Sequence, residues 1–469
     1  MLQLEVTGVA AGGFGTARAG KRRYLVWGGL PGDVVTAQVV RQERGRIEAR
    51  VAAVLSSEIR RIPPQCRHFA VCGGCLWQDV RYGDQLVLKR RLVAQAFRDA
   101  GMGSLEVSAV IGCEDVFPCR NKMDFSFGQH AAGALMLGLF ADARKPTVRG
   151  ASAVLSESRG GMPPVFDVEI CWLQTQDLNQ IIDASRRALD GRRLRAYNPE
   201  ARSGVLRSLT VREGTRTGEV LVNLVVGSAK HVPSGPFVEA VTAACERVKG
   251  VVLSVNRKRS RHAAPKSQET LFGEVWIAER ILGLEVEVSP TSFLQVNTPQ
   301  AERLYALAVS YAGLTGRERV LDLYCGTGTL SLLLAQRSAS VTGVESLEEA
   351  VADARRNALR NGVANCRFVC GDALETAPGL LADGERTDVV TVNPPRAGLH
   401  PGVIQAICRH GPPRVVYISC NPQTLARDLG VFQRSGYCAG AVQPVDLFPH
   451  TPHCEAVVNL SRGGSTPRK

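Results

Sequence analysis

The stretch VLDLYCGTGTLSLLLAQ, Val320–Gln336, decides the fold of the C-terminal part of the chain. An apolar run leads into a turn containing Gly326 and Gly328, and a leucine-rich segment with the composition of a helix follows. The next apolar run ends at Glu345, 19 positions after Gly326. An acidic residue at about this distance binds ribose hydroxyls in nucleotide-binding folds. A dinucleotide fingerprint requires a third glycine where this chain has Ser331, so S-adenosylmethionine, which lacks a pyrophosphate, fits better.

Apolar runs and amphipathic segments alternate from about residue 290 to the C-terminus. The segment LEEAVADARRNALRNG, for example, has the apolar spacing of an amphipathic helix. This alternation is typical of an α/β domain with a doubly wound, Rossmann-like sheet, which we predict over residues 290–469. The predicted strands have the sequences RVLDLY, SVTGVE, CRFVCGD, DVVTVN and RVVYIS.

Cys420 lies between the last of these strands, Arg414–Ser419, and the start of a predicted helix. Asn421 can cap this helix, and Pro422 can occupy its first turn. The thiol is therefore expected at the carboxyl end of a strand and beside a helix N-terminus. Such a position lowers a thiol pKa and faces the crevice where α/β proteins bind ligands. A buried structural cysteine is the alternative to a nucleophile.

The stretch DVVTVNPPRAGL, Asp388–Leu399, is a strand that ends in Asn393-Pro394-Pro395-Arg396. The two prolines stiffen the loop and hold a polar side chain and backbone carbonyls at the edge of the sheet. A planar base could be bound there. An ordinary turn is the alternative, but the coincidence with a glycine-rich cofactor loop favours base binding.

A cysteine triplet, CRHFAVCGGC, indicates a metal site in the N-terminal half. Cys66, Cys72 and Cys75 need a fourth ligand to complete a tetrathiolate site. Zinc and a 4Fe–4S cluster share this signature. The candidates for the fourth ligand are Cys113, Cys119 and Cys171.

The chain is long and basic, with 469 residues and a formal net charge of +13. This length predicts two or three domains, and the basic excess favours a nucleic-acid partner. No apolar run approaches the roughly 20 residues of a membrane span, and Met1–Ala10 lacks the features of a secretion signal. We therefore expect a cytoplasmic protein whose 14 cysteines are thiols or metal ligands. The basic clusters are Lys21–Arg23, Arg186–Arg195 and Arg257–Arg261.

Residues 1–55 are predicted to form an N-terminal β-barrel. Short apolar runs alternate there with glycine-rich and basic turns, as in the five-stranded OB-type barrels that bind nucleic acid. A barrel with a purely structural role is the alternative.

Residues 56–289 are predicted to form a mixed α+β central domain. We expect a helix over Tyr82–Ala100 with an exposed Lys89-Arg90-Arg91 cluster, and two strands joined by a turn in Arg207–Gly227. Two segments are expected to be loops, namely Ala143–Pro164 and Arg257–Gln268.

Together these features resemble the RNA uracil-5-methyltransferase family, and in particular its iron–sulfur branch, which carries a TRAM domain and acts on 23S ribosomal RNA. The N-terminal module is similar to the TRAM domain, and the cysteine triplet to the cluster motif. The other matching motifs, in family order, are RNKMDFSFG (Arg120–Gly128), FLQVN (Phe293–Asn297), DLYCGTGT, VNPPRAG, SCNPQTLARDL and FPHTPHCEAV (Phe448–Val457).

The resemblance implies specific roles for residues of this chain. Cys420 would be the nucleophile and Glu455 the general base, and Cys171 would join the triplet as the fourth ligand of a 4Fe–4S cluster. The resemblance also implies that the cofactor is S-adenosylmethionine, that the partner is 23S ribosomal RNA, and that the protein is a monomer without membrane association. The residues that match cofactor or substrate contacts are Gln295, Tyr324, Thr329, Glu345, Asp372 and Asn393.

Two features depart from the family pattern. The family usually has Asp where this chain has Asn393, although an amide can accept from one edge group of uracil and donate to another. The interval between Cys75 and Cys171 is also longer than is usual in the family.

The expected chemistry explains why a cysteine and a carboxylate are both needed. A thiolate that adds to uracil C6 makes C5 nucleophilic, and a base must later remove the C5 proton before the cysteine can leave. An amino-methyltransferase would not need Cys420, and a non-catalytic RNA-binding or assembly protein would be expected to lose Cys420 or the glycine loop. Transfer RNA is the alternative substrate.

Overall fold

A computed structural model describes residues 1–43, 45–130, 132–142, 155–156, 162–191, 194–258, 265–382 and 386–463. Most of the predicted loop Ala143–Pro164 and residues 259–264 of the second predicted loop lie outside these ranges. Within them, no helix combines the length and apolar character required to cross a membrane.

The N-terminal residues form a closed five-stranded barrel in the order β1-β2-β3-β5-β4, which confirms the predicted barrel. Alternate residues such as Leu4, Val6 and Val35 point into its core, as the two-residue period of a strand requires. The strands are β1 (Leu2–Ala10), β2 (Phe14–Ala19), β3 (Arg22–Trp27), β4 (Val34–Glu43) and β5 (Arg46–Ser56).

The central part is a seven-stranded mixed sheet against which the second and third helices of the chain pack. The strands are β6 (Lys122–Gln129), β7 (Leu135–Phe140), β8 (Val165–Asp167), β9 (Leu206–Glu213), β10 (Val220–Val226), β11 (Val248–Val255) and β12 (Ser267–Gly273), and the helices are α1 (Tyr82–Asp99), α2 (Gln176–Leu189) and α3 (Ser234–Ala244). The sheet order is β12-β11-β10-β9-β6-β7-β8. The two strands predicted in Arg207–Gly227 are β9 and β10, which pair antiparallel. Helices α2 and α3 bury Ile181 and Phe237 in the same core.

The C-terminal part is the predicted doubly wound α/β unit. Its strands are β13 (Ile277–Ile281), β14 (Leu284–Val288), β15 (Arg319–Leu323), β16 (Ser340–Glu345), β17 (Cys366–Cys370), β18 (Val389–Val392), β19 (Arg414–Ser419), β20 (Tyr437–Ala439), β21 (Gln443–Val445) and β22 (Glu455–Arg462). Its helices are α4 (Thr298–Ala312), α5 (Thr329–Ala335), α6 (Glu348–Arg360), α7 (Ala373–Ala382), α8 (Pro401–His410) and α9 (Pro422–Arg434).

The main sheet of this unit has the order β17-β16-β15-β18-β19-β22-β20, and β21 also pairs with β22. Strands β15 to β19 are parallel, whereas β22 runs antiparallel beside β19. All five strands predicted from the sequence are present. Because they are parallel, their carboxyl ends lie along one edge of the sheet, which is where ligands bind in open α/β folds.

Two elements from the predicted central segment pack into the C-terminal core. Helix α1 contributes Val93 and Phe97, and the hairpin β13–β14 contributes Val286. The expectation of an exposed basic cluster on α1 is wrong for Lys89, whose side chain is fully buried in an ion pair with Asp446. A buried lysine requires such a partner, and this one lies 357 positions away in the sequence.

Candidate active site at the carboxyl ends of the parallel strands

The glycine-rich turn after β15 opens the site. Gly328 has φ +80°, and a Cβ there would lie 2.8 Å from the Phe368 ring and 2.9 Å from the Ala354 Cβ. Only glycine fits this position without displacing its neighbours. Tyr324 also has a left-handed backbone, with φ 64°. The turn is therefore tight, and it leads directly into α5.

A cavity lies over this turn. Of the predicted contact residues, Tyr324, Thr329 and Asn393 line it. Burial raises the pKa of Tyr324 to about 12, and the nearby Asp372 adds to the rise. The residues lining the cavity are Phe293, Tyr305, Asp322, Tyr324, Cys325, Gly326, Thr327, Thr329, Leu330 and Asn393.

The other predicted contact residues lie around the cavity. The Oε2 of Glu345, at the end of β16, accepts a hydrogen bond from the Gly326 amide at 3.2 Å. Asp372 is exposed and follows β17. Gln295 is buried, two positions after the cavity residue Phe293. The carboxyl ends of β15, β16, β17 and β18 thus bring most of the predicted set together.

Asp322 is a site residue that the sequence analysis missed. It is 1% exposed and lines the cavity. Its carboxylate accepts hydrogen bonds from the hydroxyls of Ser331, at 2.5 Å, and Thr391, at 2.6 Å. Burial nevertheless raises its pKa to about 6. An acidic residue inside the apolar run RVLDLY was the available signal, because acids are rarely buried without a specific reason.

Cys420 lies where the sequence predicts it. The Asn421 side chain accepts a hydrogen bond from the Gln423 amide at 3.1 Å and caps α9, with Pro422 in the first turn. The expected lowering of the thiol pKa is wrong. Burial raises the pKa of Cys420, the nearby Glu455 carboxylate raises it further, and the charge of Arg396 opposes both effects. The effects of desolvation and of a neighbouring anion on the thiol pKa are therefore larger than the lowering expected from the helix N-terminus.

Glu455 is brought next to Cys420 by strand pairing. In the antiparallel register of β19 and β22, Ser419 pairs with Ala456. Cys420 follows Ser419 and Glu455 precedes Ala456, so these two residues lie next to each other. Glu455 is 3% exposed, and among the described residues its Oε2 has no hydrogen-bond partner. Burial raises its pKa to about 7, against the opposing charge of Arg396. The site thus contains a thiol, a carboxyl group of high proton affinity and a cation.

Arg396 is the second site residue that the sequence analysis did not single out. Its backbone carbonyl accepts a hydrogen bond from the Asn421 side chain at 2.8 Å, which ties the Asn-Pro-Pro-Arg loop to the loop of Cys420. Its side chain is exposed and lowers the pKa of both Cys420 and Glu455. The position after a rigid Pro-Pro pair was the available signal.

The four predicted metal ligands share one neighbourhood. Cys72, Cys75 and Cys171 are buried and Cys66 is half-buried. Burial is the main cause that raises the pKa of Cys75 to about 11 and of Cys171 to about 12, and in both cases the other thiols contribute. Nevertheless, no group of three or more His, Cys, Asp or Glu side chains in the described ranges is arranged to hold a metal ion.

The two alternative ligands differ in their surroundings. Cys113 donates to the carbonyl of Asp446 and accepts from the Asn297 amide, both at 3.3 Å, so it belongs to the C-terminal unit. Cys119 is half-buried and lies near both Cys113 and Cys75. Cys171, by contrast, interacts with all three members of the triplet.

A larger cleft lies elsewhere on the same sheet. It is lined by Arg319 and Ser340, the first residues of β15 and β16, and by Asn365 and Arg367 near the start of β17. These are the amino ends of the parallel strands, opposite the edge that carries Cys420. Its size alone does not make it the site, because ligands of such sheets bind at the carboxyl ends.

Comparisons with known proteins identify the family of the chain. The family described as tRNA (uracil-5-)-methyltransferase matches residues 267–463. Proteins described as uncharacterized RNA methyltransferases from Gloeobacter violaceus and Halalkalibacterium halodurans are 36% and 34% identical, and in both cases the match covers 98% of this chain and 96% of the relative. The solved Pyrococcus abyssi tRNA (uracil-54, C5)-methyltransferase in complex with S-adenosyl-L-homocysteine is 26% identical, with a TM-score of 0.73, over 98% of this chain and 100% of that one. The chain belongs to the RNA uracil-5-methyltransferase family.

Proposed function

We propose that this protein uses S-adenosylmethionine to methylate C5 of a specific uridine in 23S ribosomal RNA, through a covalent adduct between Cys420 and uracil C6. The observation that carries the proposal is the pairing of Cys420 with a buried carboxyl group, Glu455, at the carboxyl end of β19. A nucleophile and a base of high proton affinity are the two groups that this reaction needs.

The reaction divides into addition and elimination. The Cys420 thiolate forms a bond to C6 and places an electron pair at C5, which is otherwise a poor nucleophile. S-adenosylmethionine, when bound, supplies the electrophilic methyl group that C5 takes up and would leave as S-adenosylhomocysteine, with the electron pair of the broken S–CH3 bond on its sulfur. Glu455 then removes the proton that C5 still carries, the C5–C6 double bond re-forms, and the sulfur of Cys420 leaves with its electron pair. A carboxyl group with a pKa of about 7 suits this step, because it is partly ionised at neutral pH and binds a proton strongly.

The cavity over the glycine turn fits the cofactor. Gly326 lines the cavity and has no side chain to fill it, which lets a ligand approach the backbone closely, and the Glu345 carboxylate stands at the end of the next strand, where a ribose would lie. Tyr324 and Thr329 would contact the cofactor from the cavity wall, with Asp372 and Gln295 at its margin. We assign Asn393 to the uracil edge, where its amide can both accept and donate.

The four cysteines would hold a 4Fe–4S cluster with a structural role. Cys66, Cys72, Cys75 and Cys171 offer four thiols in one place, which is the donor set that such a cluster requires. Their mutual electrostatic repulsion as thiolates would be relieved by the positive charge of the metal. The cluster would tie the loop of the triplet to the segment before α2.

The barrel is assigned to RNA binding. Lys21, Arg22 and Arg23 are exposed at the turn between β2 and β3. Deleting the barrel would expose Trp77 and Val80, which pack against it, so a surface variant is the cleaner test. Reversing the charges of Arg22 and Arg23 should weaken RNA binding and flatten its salt dependence, because fewer counterions are released. Unchanged RNA affinity and salt dependence would leave the barrel with a structural role.

Ribosomal and transfer RNA can be distinguished directly. The Pyrococcus abyssi relative is described as acting on uracil 54 of tRNA, whereas the resemblance of this chain's barrel and cysteine motif favours 23S ribosomal RNA. Mapping 5-methyluridine in RNA from cells with and without this gene should reveal a modification lost from 23S ribosomal RNA. A loss confined to transfer RNA would transfer the assignment there, and no loss in either would favour a non-catalytic role.

A further inference from the structure

The segment Asp446–Cys454 connects β21 to β22 and immediately precedes Glu455. It forms neither helix nor strand, yet most of it is buried: Asp446 is 0% exposed and His450 is 5% exposed. Glu455 is the first residue of β22 and pairs with Val445, the last residue of β21 and the neighbour of Asp446, so the groups that hold Asp446 also act on the position of Glu455. Cys420, by contrast, is fixed by β19 and by the cap of α9.

One face of α1 supplies the main contacts to this segment. Lys89 forms a fully buried ion pair with Asp446, and its Nζ also donates to the Phe448 carbonyl at 2.9 Å. Tyr82 donates its hydroxyl to the Asp446 carboxylate at 2.9 Å. The Gln85 side chain accepts from the His450 amide at 2.8 Å. Residues three and four positions apart lie on the same helix face, so α1 holds the segment from a single side.

The segment is also bound from two other sides. The amides of Leu76 and Trp77, directly after the cysteine triplet, donate to the His450 carbonyl at 2.9 and 3.0 Å. The Gln300 side chain donates to the Asp446 carbonyl at 2.8 Å. Asp446 and His450 are therefore two points at which groups from several elements anchor the segment.

We propose that the buried Lys89–Asp446 pair is a positioning device for Glu455, which sets how fast the methylated adduct is resolved without taking part in its formation. A buried ion pair contributes little net stability once desolvation is counted, but it fixes one arrangement of the groups around it. The inference rests on the proposed function, in which Glu455 removes the C5 proton. Lys89 and Asp446 act through the segment and touch no reacting atom.

The test removes both charges at once, so that neither is left buried alone. The Lys89→Met/Asp446→Asn variant should form the same yield of adduct as the wild type with RNA carrying 5-fluorouridine at the target. Fluorine cannot leave as a proton, so trapping reports addition by Cys420 and methyl transfer but not the step assigned to Glu455. With natural RNA, its covalent complex should persist about tenfold to a hundredfold longer on denaturing gels, because a small misplacement of a reacting group has effects of this size. An adduct resolved at the wild-type rate would overturn the proposal.

Two further variants keep the result decisive. Arg247→Met removes a cation paired with Glu213 and Asp177 in the central part, and should lower the melting temperature without changing the adduct lifetime. An equal lengthening in Arg247→Met would show a general effect of destabilisation and overturn the proposal. If the double variant does not fold, Tyr82→Phe, which deletes one hydrogen bond to Asp446, should lengthen the lifetime about threefold. Failure of the wild type to trap 5-fluorouridine RNA would instead overturn the proposed function, and with it this inference.

Discussion

Cys420 and Cys171 stand in opposite kinds of surroundings. Cys420 is half-buried and lies between a carboxyl group, Glu455, and a cation, Arg396. Cys171 is 7% exposed, packs in the apolar core of the central sheet, and has other thiols as its ionisable neighbours. Burial raises the pKa of both thiols, so the pKa alone does not separate them.

The neighbours explain the difference in chemistry. A thiol that must add to a substrate and leave again needs a separate group to handle the proton, together with access from solvent. A thiol that only binds a metal needs other thiols at hand and no solvent access. The character of the surrounding side chains therefore distinguishes a nucleophile from a ligand better than burial does.

The largest expected effect is that of Cys420→Ala. Without the thiol nothing can add to C6, so methylation should fall by about 10⁴-fold or more. Binding of S-adenosylmethionine and RNA should persist, because neither depends on the sulfur. Incorporation of a labelled methyl group and denaturing gels would measure both steps.

The result also separates this reaction from methylation of a base nitrogen. If Cys420→Ala still methylates RNA, the covalent mechanism is wrong, and an amino-methyltransferase acting through Asn393 should be considered instead. Cys438→Ala, at an exposed cysteine after α9, is the matched control and should behave like the wild type.

Glu455→Gln should have the next largest effect, of about 10²–10⁴-fold on turnover, because it removes the base but keeps the shape. One methyl group should be transferred for each enzyme, and the adduct should then accumulate as a slowly migrating protein–RNA band. Normal turnover by this variant would show that another group removes the C5 proton.

The pH dependence of adduct resolution should follow Glu455. Its folded pKa is raised to about 7 by burial, so the base form increases as pH rises, and the resolution rate should increase through about pH 7 and then level off. A pH jump applied to a preformed adduct isolates this step from thiolate formation at Cys420. The profile of Glu455→Gln should lack this rise, and an identical rise in that variant would assign the pKa to another group.

Much of the fold could be predicted because it depends on local pattern. The short apolar runs give β15 to β19, and Asn421 with Pro422 gives the start of α9, since capping and proline geometry act within a few residues. The barrel follows from strands separated by glycine-rich turns. The comparison with RNA methyltransferases over nearly the whole chain agrees with this outline.

What could not be predicted depends on residues distant in sequence. Lys89 is buried because Asp446, 357 positions later, neutralises it. The pKa of Cys420 rises rather than falls because the folded chain buries the thiol and because antiparallel β22 places Glu455 beside it, and no local feature of the sequence encodes either effect. Arg396 lowers the pKa of both Cys420 and Glu455, which it can do only because the loop after β18 meets the loop after β19 in the folded chain.

Cys171→Ser tests the other half of the comparison. Protein purified without oxygen should hold about four irons per chain, as a cubane cluster requires, and the variant should lose most of them. Cys113→Ser is the matched control and should keep its iron, because Cys113 bonds to Asp446 and Asn297 instead. Stoichiometric zinc without iron in the wild type would contradict the cluster. Loss of iron from Cys113→Ser but not from Cys171→Ser would identify Cys113 as the fourth ligand instead of Cys171.

The smallest expected effect is that of Arg396→Met, which removes the cation beside Cys420 together with its hydrogen bond to the thiol. Arg396 lowers the pKa of the thiol through its charge and a hydrogen bond, so its removal should raise that pKa and reduce the thiolate fraction. At pH 8 the alkylation of Cys420 by iodoacetamide, followed by mass spectrometry, should slow by about threefold to tenfold, because a smaller fraction of the thiol is ionised. The difference should vanish at a pH well above the pKa, where the thiolate is complete in both proteins. Arg409→Met removes an equal charge at the far end of α8 and should leave the rate unchanged. Equal rates for Arg396→Met and the wild type at pH 8 would mean that Arg396 does not set the thiolate fraction of Cys420.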